Sequence, residues 1–388
     1  MNIVVVNSGS SSLKMSMFQT TGQPQQVPKQ AVWDFEQDID WQQESIENIE
    51  QKMKSALSQL WEGEHRHIEN SEQIGIVGHR IVHGGASYSQ PIVINDRVKE
   101  DLDKLTEFAP LHNPINLTAL KLAQHLLPKA IHIAVFDTAF HSTLPPEAAV
   151  YPGPYFWYAD LKIKKYGFHG INHKYCSGKA AELLQQPKEL RIVSCHLGGG
   201  CSLTAIVDGV SIDTTMGFTP LDGLMMRSRS GAIDPGILIY LLKNKKYSVD
   251  ELDHVLNKES GMKGIFERSA DLRDITNAME RGDERAKLTF DMFVHRLSGG
   301  IAAMVAAIGG IDALLFTGGI GENSALVRAA TCQRLAFLNL SIDEKLNVST
   351  PVDVDIASAH SQTRILVVKA REDWEIATEC AALVLIPT

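Results

Sequence analysis

The residues in this chain that could do chemistry are mostly of kinds that handle phosphate. Residues 191–209, RIVSCHLGGGCSLTAIVDG, run from an apolar β-rich stretch into Gly198, Gly199 and Gly200, then leave through Cys201 and Ser202 into a second such stretch. That order predicts a strand, a tight turn and a strand. Glycines admit positive φ and leave no Cβ between backbone N–H groups and an anion, and Ser202 adds a hydroxyl donor, so phosphate is the guest such a turn suits. The N-terminus repeats the plan in MNIVVVNSGSSSLKMSMF: an apolar run 3–6, a small polar turn 7–12, then a strand carrying Lys14. Alone, either hairpin reads equally well as a surface turn. Two of them half a chain apart point to a duplicated fold that grips a polyphosphate from both sides.

Cations and acids fall at the ends of apolar runs. Residues 73–86, QIGIVGHRIVHGGA, form a strand with His79, Arg80 and His83 that stops at Gly84-Gly85. Cations so placed face a cleft; a structural ion pair is the alternative for Arg80. Metal ligation by His79 and His83 is not expected, because no Cys or acid lies at ligand spacing. Residues 130–141, AIHIAVFDTAFH, are a buried strand that delivers Asp137 at its C-terminal end, where open α/β sheets bind ligands. His112 stands between two prolines in APLHNP, ahead of a helix 115–127 that Asn113 would cap. In KKYGFHGINH, Phe168 and His169 precede a helix; His169 and His173 are four apart but lack the Glu of a metallopeptidase helix. Arg227 and Arg229 lie among small residues as an anion clamp. Asp271 and Arg273 read as a helix-start loop. ALLFTGGIGENS (313–324) reads as a strand and a third glycine turn, with Ser324 where a dinucleotide motif has its last glycine. No G-x-x-x-x-G-K-[ST] occurs, which excludes P-loop enzymes.

The elements that must hold these residues are those of an ordinary globular protein: 388 residues, 44% hydrophobic and 21% charged. A formal charge of −9 argues against nucleic acid or an anionic membrane as partner, so an anionic substrate needs local Arg and Lys. Five cysteines without a C-x-x-C pair read as reduced core thiols of a cytoplasmic protein, and the N-terminus shows no signal-peptide pattern. The most apolar region, 301–316, is interrupted by Gly309, Gly310 and Asp312 and is too short to span a bilayer. Ile46, Ile49, Met53, Leu57 and Leu60 fall at helical spacing, and a last helix, 374–385, returns to the first domain. Pro145, Pro146, Pro152 and Pro154 mark the crossover between domains.

Taken in order, NSGSSSLK, GHRIVHGG, APLHNP, FDTAFH, YGFHG, HLGGGCS, MGFTPLDGL, RSG and TGGIGENS make the chain resemble the acetate kinase family, within the sugar kinase, Hsp70 and actin superfamily. The match runs from Asn7 to Glu372. It implies an α/β, two-lobed, duplicated ribonuclease-H-like fold with an ATP cleft between lobes: an N-terminal lobe 1–139 plus 374–388, and a nucleotide-binding lobe 140–373. It also implies reversible, Mg²⁺-dependent in-line transfer of the ATP γ-phosphoryl group to acetate, giving acetyl phosphate and ADP, with Mn²⁺ as a substitute metal and a homodimer formed through the second domain.

Carried onto matching positions, the resemblance implies these roles. Asn7 and Glu372 would hold the metal, and Lys14 would touch ATP. Arg80 would bind the carboxylate or acyl phosphate, while His169 and Arg229 would stabilise the transition state. His196, Leu197, Gly198, Gly199, Gly200, Asp271, Leu272, Arg273, Gly319, Ile320, Gly321, Glu322 and Asn323 would contact the nucleotide. Val82, Leu111, Phe168 and Pro220 would enclose the acetate methyl, with His112 beside the substrate. Asp137 has a proton-transfer role in the family; because a carboxylate acceptor is already ionised at neutral pH, positioning a metal-bound water is the alternative. Against the family pattern, Gly199 stands for Asn, Ile171-Asn172 for Thr-Ser, and Arg227 for Gly. Propionate is the alternative substrate, since one methylene in an apolar pocket is worth only about 1 to 3 kcal/mol, and Val82 favours acetate. An ATP-driven binding module would share the hairpins but would not need Arg80, Arg229 and the methyl pocket.

Overall fold

A computed structural model describes residues 1–9, 12–21, 27–41, 43–107, 109, 112–186, 188–349 and 352–385. The chain divides into two compact units, Met1–Ala139 with Arg371–Thr388, and Phe140–Ala370. In the first unit, strands β1 (Asn2–Ser8), β2 (Ser12–Gln19), β3 (Trp33–Asp38), β4 (Ile74–Ile81), β5 (Ile92–Val93) and β6 (Ile131–Phe136) form a sheet of order β3-β2-β1-β4-β6-β5. In the second, β7 (Arg191–Leu197), β8 (Cys201–Val207), β9 (Val210–Thr214), β10 (Ala313–Thr317), β11 (Val354–Asp355) and β12 (Arg364–Val367) take the order β9-β8-β7-β10-β12-β11.

The two sheets follow one plan. Three consecutive strands make an antiparallel meander; its first strand pairs in parallel with a fourth, which pairs in parallel with another, and an antiparallel strand closes the edge. This is the duplicated α/β fold that the paired hairpins predicted.

Helices bury both faces of the central strands, which is why β1 is a continuous apolar run. In the first unit Val4 and Val6 pack with Met53 and Leu57 of the helix Ile46–Ser58 and Ala123 of the helix Asn113–Leu126. The helix Glu372–Leu385 lies on β1, β2, β4 and β6. It comes so close at Gly78 that a Cβ there would sit 2.7 Å from both Cys380 Sγ and Ile376 Cγ2. In the second unit the long helix Glu284–Ala307 crosses β7, β8 and β9, while Gly170–Leu184 packs on β7 and β10.

Two local expectations are corrected. Asn113 does not cap the following helix; it is its first residue, and its amide is turned to His83, accepting from the backbone N–H at 3.2 Å and donating to the carbonyl at 3.3 Å. The glycines after β10 make no open turn either. Gly318–Asn323 is a short helix entered at Gly318, whose φ of 77° suits glycine and whose Cβ would stand 2.8 Å from the Leu197 carbonyl oxygen.

Candidate active site

In the first unit, β1, β4 and β6 are parallel neighbours, so their C-terminal ends set Asn7, Arg80 and Asp137 at one edge. Ligands in open α/β sheets bind at that edge. Arg80 Nε donates to Asp137 Oδ2 at 3.0 Å, and its Nη2 reaches the same oxygen. Its Nη1 donates to Asn7 Oδ1 at 3.2 Å, and Asn7 Nδ2 donates to Glu372 Oε2 at 3.0 Å. Glu372 lies in the acidic first turn of the last helix, with Oε2 3.9 Å from Arg80 Nη1. Burial works against the charge on Arg80, but Asp137 and Glu372 outweigh it and raise the guanidinium pKa. The cluster is therefore a cation wedged between two carboxylates. Lys14 stands opposite Asn7 in the β1–β2 register, and its exposed ammonium pairs with Glu36 at 2.7 Å.

The strand ends are held by side chains that sequence reasoning did not single out. Asn116 Nδ2 donates to the Ser8 carbonyl at 3.0 Å and its Oδ1 accepts from Val82 N–H at 3.0 Å, while Thr138 Oγ1 accepts from Gly84 N–H at 3.1 Å. Only the three-residue spacing of Asn113 and Asn116, which puts both on one helix face, signals this.

In the second unit, β7 and β8 meet at the glycine turn, where Gly198 N–H donates to the Gly200 carbonyl at 2.9 Å. His169 enters the helix Gly170–Leu184 with φ 56°, a left-handed conformation that a non-glycine residue adopts rarely and often at functional sites. Its Nδ1 lies 2.9 Å from Ser202 Oγ, which lies 2.8 Å from His173 Nε2; His173 Nδ1 in turn lies 2.9 Å from Ser194 Oγ. His173 is fully buried, and burial holds its pKa well below the ordinary value. The His169 and His196 rings stack with centroids 4.2 Å apart, and Asn172 Nδ2 is 2.8 Å from His196 Nδ1.

Ser202 is thus not the phosphate donor the sequence suggested. The β8 register turns its hydroxyl inward, fully buried between two histidines. Arg229 has its guanidinium beside the turn: a Cβ on Gly200 would be 3.1 Å from His169 Cε1 and 3.7 Å from Arg229 Nη1. Burial lowers the Arg229 pKa.

A cavity of about 560 Å³ opens next to that turn. Of the residues expected at the nucleotide, Gly198, Gly199, Asp271, Leu272, Arg273, Gly319, Ile320 and Asn323 line it. Asp271 caps its helix by accepting from Arg273 N–H at 2.9 Å, and the Arg273 side chain, bonded to it, holds its carboxyl at about 2. Thr276, Arg227 and Leu326 also line the cavity.

Other expected contacts point elsewhere. Leu197 is core. Glu322 braces backbone, accepting from Gly318 N–H at 3.0 Å and Ala370 N–H at 2.9 Å. Arg328, fully buried, ties down the Gly321 and Glu322 carbonyls, a role nothing in its amphipathic helix announced. The residues expected around the substrate divide between units: Val82 of the methyl pocket and His112 belong to the first, buried Phe168 and half-buried Pro220 of that pocket to the second, and Leu111 lies outside the described residues.

Comparison with known proteins agrees over nearly the full length. The model of the acetokinase family matches residues 2–378. The acetate kinase of Cyanothece sp. is 47% identical, the match covering 99% of this chain and 98% of that protein. Among solved structures, the acetate kinase of Porphyromonas gingivalis superposes with a TM-score of 0.86 at 32% identity, covering 99% of both chains. The propionate kinase of Francisella tularensis superposes with a TM-score of 0.86 at 37% identity, covering 97% of this chain and 98% of that one. With its two matched sheets, its arginine-centred cluster and its glycine-turn cavity, the chain belongs to the acetokinase family and is a kinase of that family.

Proposed function

We propose that the protein transfers the γ-phosphoryl group of ATP directly and reversibly to acetate, with Mg²⁺ required and no phosphoenzyme formed. The observation that carries this reading is the arginine Arg80 at the edge of one sheet, held in place by Asp137 and Asn7. An acetate carboxylate is ionised at neutral pH and needs no general base. Its difficulty is approaching a polyanion through a transition state that spreads charge over the phosphoryl oxygens. Asp137 and Asn7 orient Arg80 by taking Nε and one hydrogen on each Nη, which leaves one N–H on Nη1 and one on Nη2 to offer the acceptor. His169 and Arg229, side by side at Gly200, offer preorganised donors to the phosphoryl oxygens. The reading requires both sets to act on one phosphoryl group.

Asn7 and Glu372 suit Mg²⁺ chemically: an amide oxygen and a carboxylate are hard donors. Among the described residues no three His, Cys, Asp or Glu side chains gather for a metal, so substrate phosphate and water would complete the shell. When bound, the ion would neutralise developing phosphate charge.

Five buried free cysteines fit a reducing, cytoplasmic setting. Among the described residues no helix is long and apolar enough to cross a membrane. A homodimer formed by the second unit is supported by large apolar side chains left exposed on the helix Pro235–Lys243 and on Tyr155–Ala159.

Phosphorus NMR of the protein with Mg-ATP and acetate, propionate or no acid tests the reaction. An acyl-phosphate signal strongest with acetate is expected. ATP left intact in every tube, or hydrolysed regardless of acid, would overturn the proposal.

A further inference from the structure

We propose that Arg227 binds the phosphates that stay on the nucleotide after transfer, and so sets how tightly this chain holds its phosphoryl donor. The proposal rests on the nucleotide reading of the second unit's cavity. Gly199 and Gly200 of the turn each face one arginine: a Cβ on Gly199 would lie 3.7 Å from Arg227 Cδ, and one on Gly200 3.7 Å from Arg229 Nη1. The second arginine is shared with His169 at the end assigned to the transferred group. The first lines the cavity itself.

The backbone of Arg227 is anchored, its N–H 3.4 Å from the Gly199 carbonyl and its carbonyl accepting from Lys263 N–H at 2.8 Å. Its guanidinium makes no hydrogen bond or ion pair among the described residues. The nearby carboxylate of Asp271 feels its charge, but Arg273 already holds that carboxylate with three hydrogen bonds. An exposed cation without a hydrogen-bonded counterion, on a fixed backbone, in a cavity walled by a glycine turn, is what a diphosphate recognises in a chain of net charge −9.

The test is isothermal titration of the full chain with Mg-ADP and, separately, with adenosine, for wild type, Arg227→Gln and Arg227→Lys. Arg227→Gln should weaken ADP binding about tenfold or more, leave adenosine unchanged and flatten the dependence of ADP affinity on salt, with Arg227→Lys recovering part of the loss. Equal losses for ADP and adenosine, or no loss for either, would overturn the assignment of Arg227 while leaving the cavity a nucleotide site. Failure of wild type to bind either ligand would overturn the nucleotide reading and this proposal with it.

Discussion

Arg80 and Asp137 show how one pair serves both stability and chemistry. The Asp137 side chain is 1% exposed and that of Arg80 13%, so the buried Asp137 charge is offset by Arg80, and the Arg80 charge by Asp137 together with Glu372. Asp137→Asn should destabilise the protein by about 3 to 5 kcal/mol, the range for removing one partner of a buried pair, as measured by urea unfolding. Under the proposed mechanism Arg80→Ala and Arg229→Ala should each lower kcat/KM for acetate by about 10²- to 10³-fold, the cost of a missing transition-state donor. Turnover near wild type in Arg80→Ala would remove that residue from the reaction. The sequence placed Arg80 and Asp137 at strand ends, because an apolar run that stops at glycine or acid is a local pattern. It could not show that they bond each other, since 57 residues separate them and only the parallel pairing of β4 with β6 brings them together.

At the scale of elements, the last helix is fitted to its sheet through one missing side chain. Gly78→Ala would drive a methyl into Cys380 and Ile376, neither of which can retreat from a fully buried site. The substitution should cost about 1 to 3 kcal/mol, the usual toll of overpacking, and lower the melting temperature. A variant as stable as wild type would mean that the helix shifts freely, and then Glu372 in its first turn would not be firmly placed. The corrected elements have a common origin. Asn113 and Ser202 are residue types that cap helices or donate to ligands by local rules, and each is instead used by a partner distant in sequence: the His83 backbone just past β4 for Asn113, the His169–His173 pair for Ser202.

The whole molecule carries several histidines that its interior keeps neutral. Burial pushes His83 and His141 down to about 4 and His79 and His173 well below the ordinary 6.5. Well above pH 6.5 these groups are neutral folded or unfolded and add almost no pH dependence. Between 6.5 and about 4 the unfolded chain takes up protons that the folded chain refuses, so stability falls with pH by up to about 1.4 kcal/mol per pH unit for each histidine. Urea midpoints should hold steady from pH 8 to 7 and drop from 6.5 downwards; a flat profile to pH 5 would contradict the burial of these rings. If the exposed Ile239 and Tyr240 lie in a dimer contact, Ile239→Glu with Tyr240→Glu should give a monomer by light scattering, and an unchanged mass would exclude that face.

Repeated strand-turn-strand patterns, apolar runs and the ordered motifs are local, and from them the sequence alone determined the duplicated α/β class and the acetokinase family. The same local signals marked Arg80, Asp137, His169 and Arg229 as residues with work to do. Tertiary structure alone decided what each is bonded to: that Asp137 holds Arg80, that Ser202 joins His169 to His173, that Glu322 and Arg328 brace a loop, and that the Arg227 side chain lines the cavity beside Asp271 and Arg273. Hydrogen bonds of that kind depend on register and helix placement across tens to hundreds of residues, and no local propensity encodes where those distant segments meet.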